Sequence, residues 1–159
     1  MKLNVSPVAG LAARVIVGSV LVYAGATKAA GPAEEFALVI GAYDVLSKEM
    51  VLTAAAFLPW VELLLGWSLI LGLRLRVTAA AAGALFAGFL FALVSVKLKG
   101  IQLPNCGCFG DAIHLTPLQA LLVDSALASL CWVAWTAAPG LSLDSWMEGG
   151  YTARTNGKR

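Results

Sequence analysis

The segment Cys106-Gly107-Cys108 contains the residues whose type and spacing most clearly predict chemistry. Two cysteines one residue apart can close only a very small disulfide ring, and the glycine between them permits the backbone angles that such a ring needs. A strained disulfide has a raised reduction potential, so it oxidises other thiols readily and stabilises the fold poorly. The neighbouring Pro104 and Gly110 indicate a tight, exposed turn. The pattern therefore predicts thiol–disulfide exchange.

Two other interpretations of the cysteine pair remain open. With His114, six residues after Cys108, the two thiols would form a site for a soft ion such as Zn²⁺ or Cu⁺, although the spacing matches no standard zinc motif. The pair could instead be a static disulfide. The redox interpretation requires no metal. Cys131 lies ~20 Å along the fourth apolar segment, too far to pair with either cysteine, and is predicted to be a buried, inert thiol.

Three charged residues interrupt the apolar segments, and they are Arg14, Glu62 and Asp124. A charge in lipid is costly, so each should face the bundle interior or a partner. We expect Arg14 and Glu62 to be able to form a structural ion pair. Asp124, two turns below the cysteine loop, is a candidate for handling protons when thiols oxidise, or for a hydrogen bond between helices. Glu62 and Trp60 together suggest a cavity for a quinone.

The composition identifies the class of protein that must position these residues. Of the 159 residues, 60% are hydrophobic and 13% are charged, the net charge is +2, and the mean hydropathy is +0.84. A soluble domain needs more polar surface, and this charge is too small for a nucleic-acid binder. Four apolar segments, at about 8–28, 51–73, 77–96 and 118–138, have the length of membrane spans. We expect an all-α integral membrane four-helix bundle over 1–138.

The polar connections complete the predicted topology. Gly31-Pro32 followed by Glu34 and Glu35 indicates a helix start. The segment that follows is too short to cross a bilayer, so we expect a short interfacial helix, or one folded back onto the bundle. Lys and Arg favour the side of both termini by six to four, with Lys28 counted among the four cations of the opposite loops. This count puts both termini and the 139–159 tail in the cytoplasm and the cysteine loop outside, which in bacteria is the periplasm.

The chain resembles the MauE/DoxX family of four-helix, redox-associated bacterial membrane proteins. The resemblance extends to about Ala138 and rests on the end of the first span, on Pro59-Trp60-Val61-Glu62-Leu63 and on Asn105-Cys106-Gly107-Cys108-Phe109-Gly110. The last motif points to the MauE branch, which is associated with methylamine utilisation. The resemblance implies an inner-membrane protein that acts with a thioredoxin-like partner in maturing periplasmic methylamine dehydrogenase. By resemblance, Cys106 and Cys108 would be the redox pair.

Three hypotheses follow for a protein whose surroundings are the lipid bilayer. In the first, Cys106 and Cys108 exchange with an extracytoplasmic thioredoxin-like protein, and electrons pass to or from a membrane carrier such as a quinone. This hypothesis would make the protein a thiol–disulfide oxidoreductase. The second is a soft-metal or small-thiol binding protein, and the third is a non-catalytic subunit of a larger membrane complex. The sequence leaves the substrate, the direction of electron transfer and the oligomeric state open.

Overall fold

Five helices form the part of the chain that the structure, a computed structural model, describes: residues 6–101, Cys106 and 115–137. All of them except the short α2 are long and apolar enough to span a membrane. The predicted all-α bundle, with one short helix between the first two spans, is therefore confirmed. The helices are α1 (Pro7–Ala30), α2 (Ala33–Ala42), α3 (Lys48–Leu71), α4 (Leu75–Leu98) and α5 (Pro117–Thr136). The predicted 139–159 tail lies outside the described residues.

Local sequence explains where the helices begin and end. The Ser6 hydroxyl accepts a hydrogen bond from the Ala9 N–H (3.2 Å) and so caps α1. At the start of α5, Thr116 and Gln119 form a capping box, in which each side chain accepts from the other residue's backbone N–H. The third helix ends at Gly72, whose φ of 71° is the left-handed conformation that glycine adopts readily. These end signals account for boundaries that differ from the predicted spans by a few residues.

The four long helices close around one apolar core. The most extensive contacts join α1 to α3 and α4 to α5, and α1 also packs on α5. The core takes residues from all four long helices and includes Val17, Leu21, Leu69, Phe86 and Cys131. Cys131 is thus buried among apolar side chains, as predicted.

Glycines bring α1 and α3 into close backbone contact. A Cβ added at Gly66 would lie 2.8 Å from the Gly18 carbonyl oxygen and 2.9 Å from the Val22 nitrogen. One Cβ added at Gly25 would lie 2.7 Å from the Pro59 carbonyl oxygen. Only hydrogen fits at these positions, and such small-residue contacts are typical of helix pairs in membranes. The contacts also set the register of α1 against α3.

The short helix α2 folds back onto α3, which is one of the two arrangements predicted from the sequence. None of its residues is fully buried. An ion pair between Lys99 Nζ and Asp44 Oδ2 (2.9 Å) connects the end of α4 to the turn after α2. This helix therefore covers one end of the bundle, the end at which α4 finishes and α5 starts.

Candidate functional site

A buried ion pair joins α1 and α3. Lys28 Nζ lies 2.7 Å from Oε1 and 2.8 Å from Oε2 of Glu62, and the two side chains are 2% and 1% exposed. The expected pair between Glu62 and Arg14 is therefore wrong. The α1–α3 register places Gly25 beside Glu62, whereas Arg14 lies eleven residues from Gly25, or ~16 Å along a helix.

Both cations of α1 belong to one buried stripe. Arg14, Val17, Leu21, Ala24 and Lys28 are all buried, and they follow one another at alternating intervals of three and four residues. This spacing puts them on one face of a helix. The sequence therefore indicated that Lys28 is buried, because this residue continues the stripe. Its position near the end of the span instead suggested a cation in the loop.

Asp124 lies close to the ion pair. Its side chain is 3% exposed, and the charges of Lys28 and Glu62 both act on its carboxyl group. Among the described residues, no group donates a hydrogen bond to Asp124 Oδ2. Three helices thus contribute one ammonium and two carboxyl groups to one region of the interior.

An apolar cavity of about 260 Å³ lies beside the ion pair, between α2, α3 and α4. Its walls are almost entirely hydrophobic, and Lys28 is the charged residue among those that line it. Two aromatic rings face the ammonium: the centroid of Phe36 is 5.6 Å and that of Phe89 is 5.9 Å from Lys28 Nζ. These distances are in the range of cation–π contacts. Cys106 lines the same cavity.

Cys106 is held against the end of the bundle through its backbone. Its N–H donates to the Leu115 carbonyl oxygen (3.1 Å), and its carbonyl oxygen accepts from the Tyr43 hydroxyl (2.5 Å). The residue is 2% exposed and packs with Leu93 and Ala120, so the exposure predicted for this turn is wrong at Cys106. Two elements that are distant in the sequence, the α2–α3 turn and the segment before α5, therefore position this cysteine.

The other predicted site residues are not all at the cavity. Trp60 is 60% exposed on the outside of α3 and is not among the cavity's lining residues. Glu62 is fully buried, and it reaches the cavity only through Lys28. Cys108 and His114 lie outside the described residues. Within the described residues, no three His, Cys, Asp or Glu side chains form a group that could hold a metal ion.

A family model described as methylamine utilisation protein MauE matches residues 6–137, which is most of the chain. The match spans every element of the site described above. No curated protein and no solved structure matches the chain significantly.

Proposed function

The chain belongs to the MauE family of methylamine utilisation proteins, and from this premise we propose that it is a membrane thiol–disulfide redox protein. In this proposal, Cys106 and Cys108 form and break a disulfide at one face of the membrane. They exchange it with a thioredoxin-like protein that serves the maturation of disulfide-containing periplasmic proteins, of the methylamine dehydrogenase type.

The position of Cys106 is the observation that supports this proposal most. A cysteine that only filled space in the core would need no hydrogen bonds to hold its backbone in place. Here the backbone on both sides of the Cys106 Cα is hydrogen-bonded, to Leu115 and to Tyr43. The residue also lines a cavity that contains a buried ammonium. A redox cysteine needs such fixed geometry next to the group that exchanges electrons with it.

We further propose that both termini are cytoplasmic, in the inner membrane of a bacterium, with the cysteines on the outer face. The Lys and Arg count favours this orientation by six to four. Lys28 was one of the four cations counted outside, yet its charge is buried and paired with Glu62. Without Lys28 the count is six to three, which supports the orientation more strongly.

Redox trapping in intact cells tests the proposed function. Cells are quenched with acid, and the protein is denatured so that the buried Cys106 reacts. Free thiols are then alkylated, disulfides are reduced, and the new thiols are alkylated with a heavier reagent. Mass spectrometry reads each cysteine separately. Cys131 is an internal control, because it is a free thiol buried in the core and should carry only the light label.

We expect a mixed label on Cys106 and Cys108 that shifts when the respiratory chain is inhibited. The variant Cys106→Ser should abolish oxidation of the periplasmic partner, whereas Cys131→Ser should not. If partner oxidation is unchanged in Cys106→Ser, the proposed function is wrong. A pair that stays fully oxidised under every condition would also contradict it, because that result describes a static disulfide.

A further inference from the structure

We propose that the cavity between α2, α3 and α4 binds the head group of a quinone, which takes electrons from Cys106. This inference rests on the proposed function and adds to it the electron acceptor and the place where it binds. The sequence suggested a quinone near Glu62 and Trp60, whereas the geometry points to Lys28, Phe36, Phe89 and Cys106.

The shape and lining of the cavity suit a flat apolar ring. Its volume of about 260 Å³ is close to the lower end, ~300 Å³, of the range for ligand pockets, so it accommodates a single ring system with the tail outside. Phe36 comes from α2 and Phe89 from α4, so aromatic side chains border it from two helices. A ring ligand can stack or pack edge-on against such side chains.

Lys28 supplies the polar contact that orients such a ring. An ammonium has three N–H donors, and the hydrogen bonds of Lys28 described in the structure take two of them to Glu62. No described hydrogen bond uses the third N–H, and Lys28 is among the residues that line the cavity, so the proposal assigns this N–H to an acceptor on the ligand. A quinone carbonyl oxygen is an acceptor, and it becomes more negative as the ring is reduced. The ammonium therefore stabilises the negative charge that develops on this oxygen as electrons arrive, before protonation gives the neutral hydroxyl group.

One position of α4 that lines the cavity is left uncovered by side chains. Gly88 lines it and is nevertheless exposed, and a Cβ added there would meet no atom within 4 Å. Since α4 is a membrane-spanning helix, a lipid-soluble molecule can enter beside Gly88 without passing through water.

The chemistry balances with a quinone as the oxidant. The thiols of Cys106 and Cys108 together lose two electrons and two protons and form one S–S bond. The quinone gains the same two electrons and two protons, so that its two carbonyl groups become hydroxyl groups, and it leaves as a quinol. Cys106 is 2% exposed, which denies a folded protein direct access to it. Cys106 is therefore the thiol that faces the quinone, and Cys108 is the thiol that exchanges with the protein partner.

The test uses the purified full-length protein in lipid nanodiscs, decylubiquinone as the acceptor, and an azido-ubiquinone as a photoaffinity probe. The variant Gly88→Leu places a leucine side chain in the cavity without a clash at its Cβ. The matched control is Ala87→Leu, because Ala87 is exposed on the same helix and does not line the cavity. Quinol formation is followed by absorbance after reduction of the thiols, and labelled peptides are mapped by mass spectrometry.

We expect the wild-type protein to reduce decylubiquinone, with photolabel on α2 and α4. Gly88→Leu should raise the quinone concentration needed for half-maximal rate by about tenfold or more, equivalent to at least ~1.4 kcal/mol of binding free energy. Ala87→Leu should behave as the wild type does. Equal behaviour of the two variants, or label elsewhere on the bundle, would overturn the inference. A phospholipid bound in the cavity that decylubiquinone does not displace would overturn it as well.

A separate measurement distinguishes failure of this inference from failure of the proposed function. Exchange between the oxidised wild-type protein and a reduced thioredoxin is measured without any quinone. Disulfide exchange without quinone reduction would overturn the proposed quinone site and leave the proposed function intact. Absence of exchange would contradict the proposed function itself.

Discussion

Removing either partner of the buried Lys28–Glu62 pair should destabilise the protein more than removing both. The two substitutions are Lys28→Met, which keeps the length of the side chain, and Glu62→Gln, which keeps its shape. Each single change leaves one charged group in an interior that is only 1–2% exposed. Lys28→Met also leaves two carboxyl groups, those of Glu62 and Asp124, without the ammonium that acts on both.

The geometry sets the size of the effect. Lys28 Nζ contacts both carboxylate oxygens, at 2.7 Å and 2.8 Å, and breaking a buried pair of this kind costs about 3–5 kcal/mol of unfolding free energy. The double variant leaves no unpaired partner of this ion pair. It should lose less than either single variant, so the coupling free energy should be at least ~3 kcal/mol, the smallest loss expected of a single variant.

The assay is unfolding of the purified protein in mixed micelles, with helicity followed by circular dichroism as the denaturing detergent fraction rises. Lys99→Met is the control, because the pair of Lys99 with Asp44 is 43% and 78% exposed and its loss should cost ~0–1 kcal/mol. Additive single effects in the double variant would refute the reasoning. So would a loss in Lys28→Met no larger than that in Lys99→Met.

Four further substitutions test other contacts. Gly66→Val should lower the free energy of unfolding by about 1–3 kcal/mol or more, because the added Cβ meets backbone atoms of α1. In the same unfolding assay, Gly88→Ala should leave the free energy of unfolding unchanged or raise it. Asp124→Asn should keep the fold, with a change within about 1 kcal/mol, but should slow reoxidation of the thiol pair in stopped-flow measurements; an unchanged rate would mean that Asp124 handles no proton. Tyr43→Phe removes the hydrogen bond to the Cys106 carbonyl oxygen, so it should cost about 1 kcal/mol and speed alkylation of Cys106.

The elements of the fold could be predicted because their signals are local. Four apolar segments of membrane-spanning length predicted four long helices, and Pro32 with two following acids predicted the start of α2. The burial of Cys131 followed from its place inside an apolar segment. None of these predictions depends on how one helix is positioned against another.

The partner of Glu62 could not be predicted, because it depends on the register between two helices that are distant in the sequence. Arg14 and Lys28 share one face of α1, so the choice between them is a matter of height along the helix axis. Close contacts at Gly18, Gly25 and Gly66 set that height. These three glycines were not identified as contact points from the sequence.

Stability alone does not account for a lysine and a glutamate inside this bundle, since apolar residues of similar size often stabilise an interior as well as a buried ion pair does. Their arrangement relative to the cavity does account for them. Lys28 lines the cavity, and Glu62 lies on the far side of Lys28 from it, where both carboxylate oxygens accept hydrogen bonds from the ammonium. The carboxylate thereby holds the ammonium in place and offsets the cost of burying the cation. In the proposed quinone site, Lys28 is the group that contacts the ligand, and Glu62 is a positioning residue that acts through it.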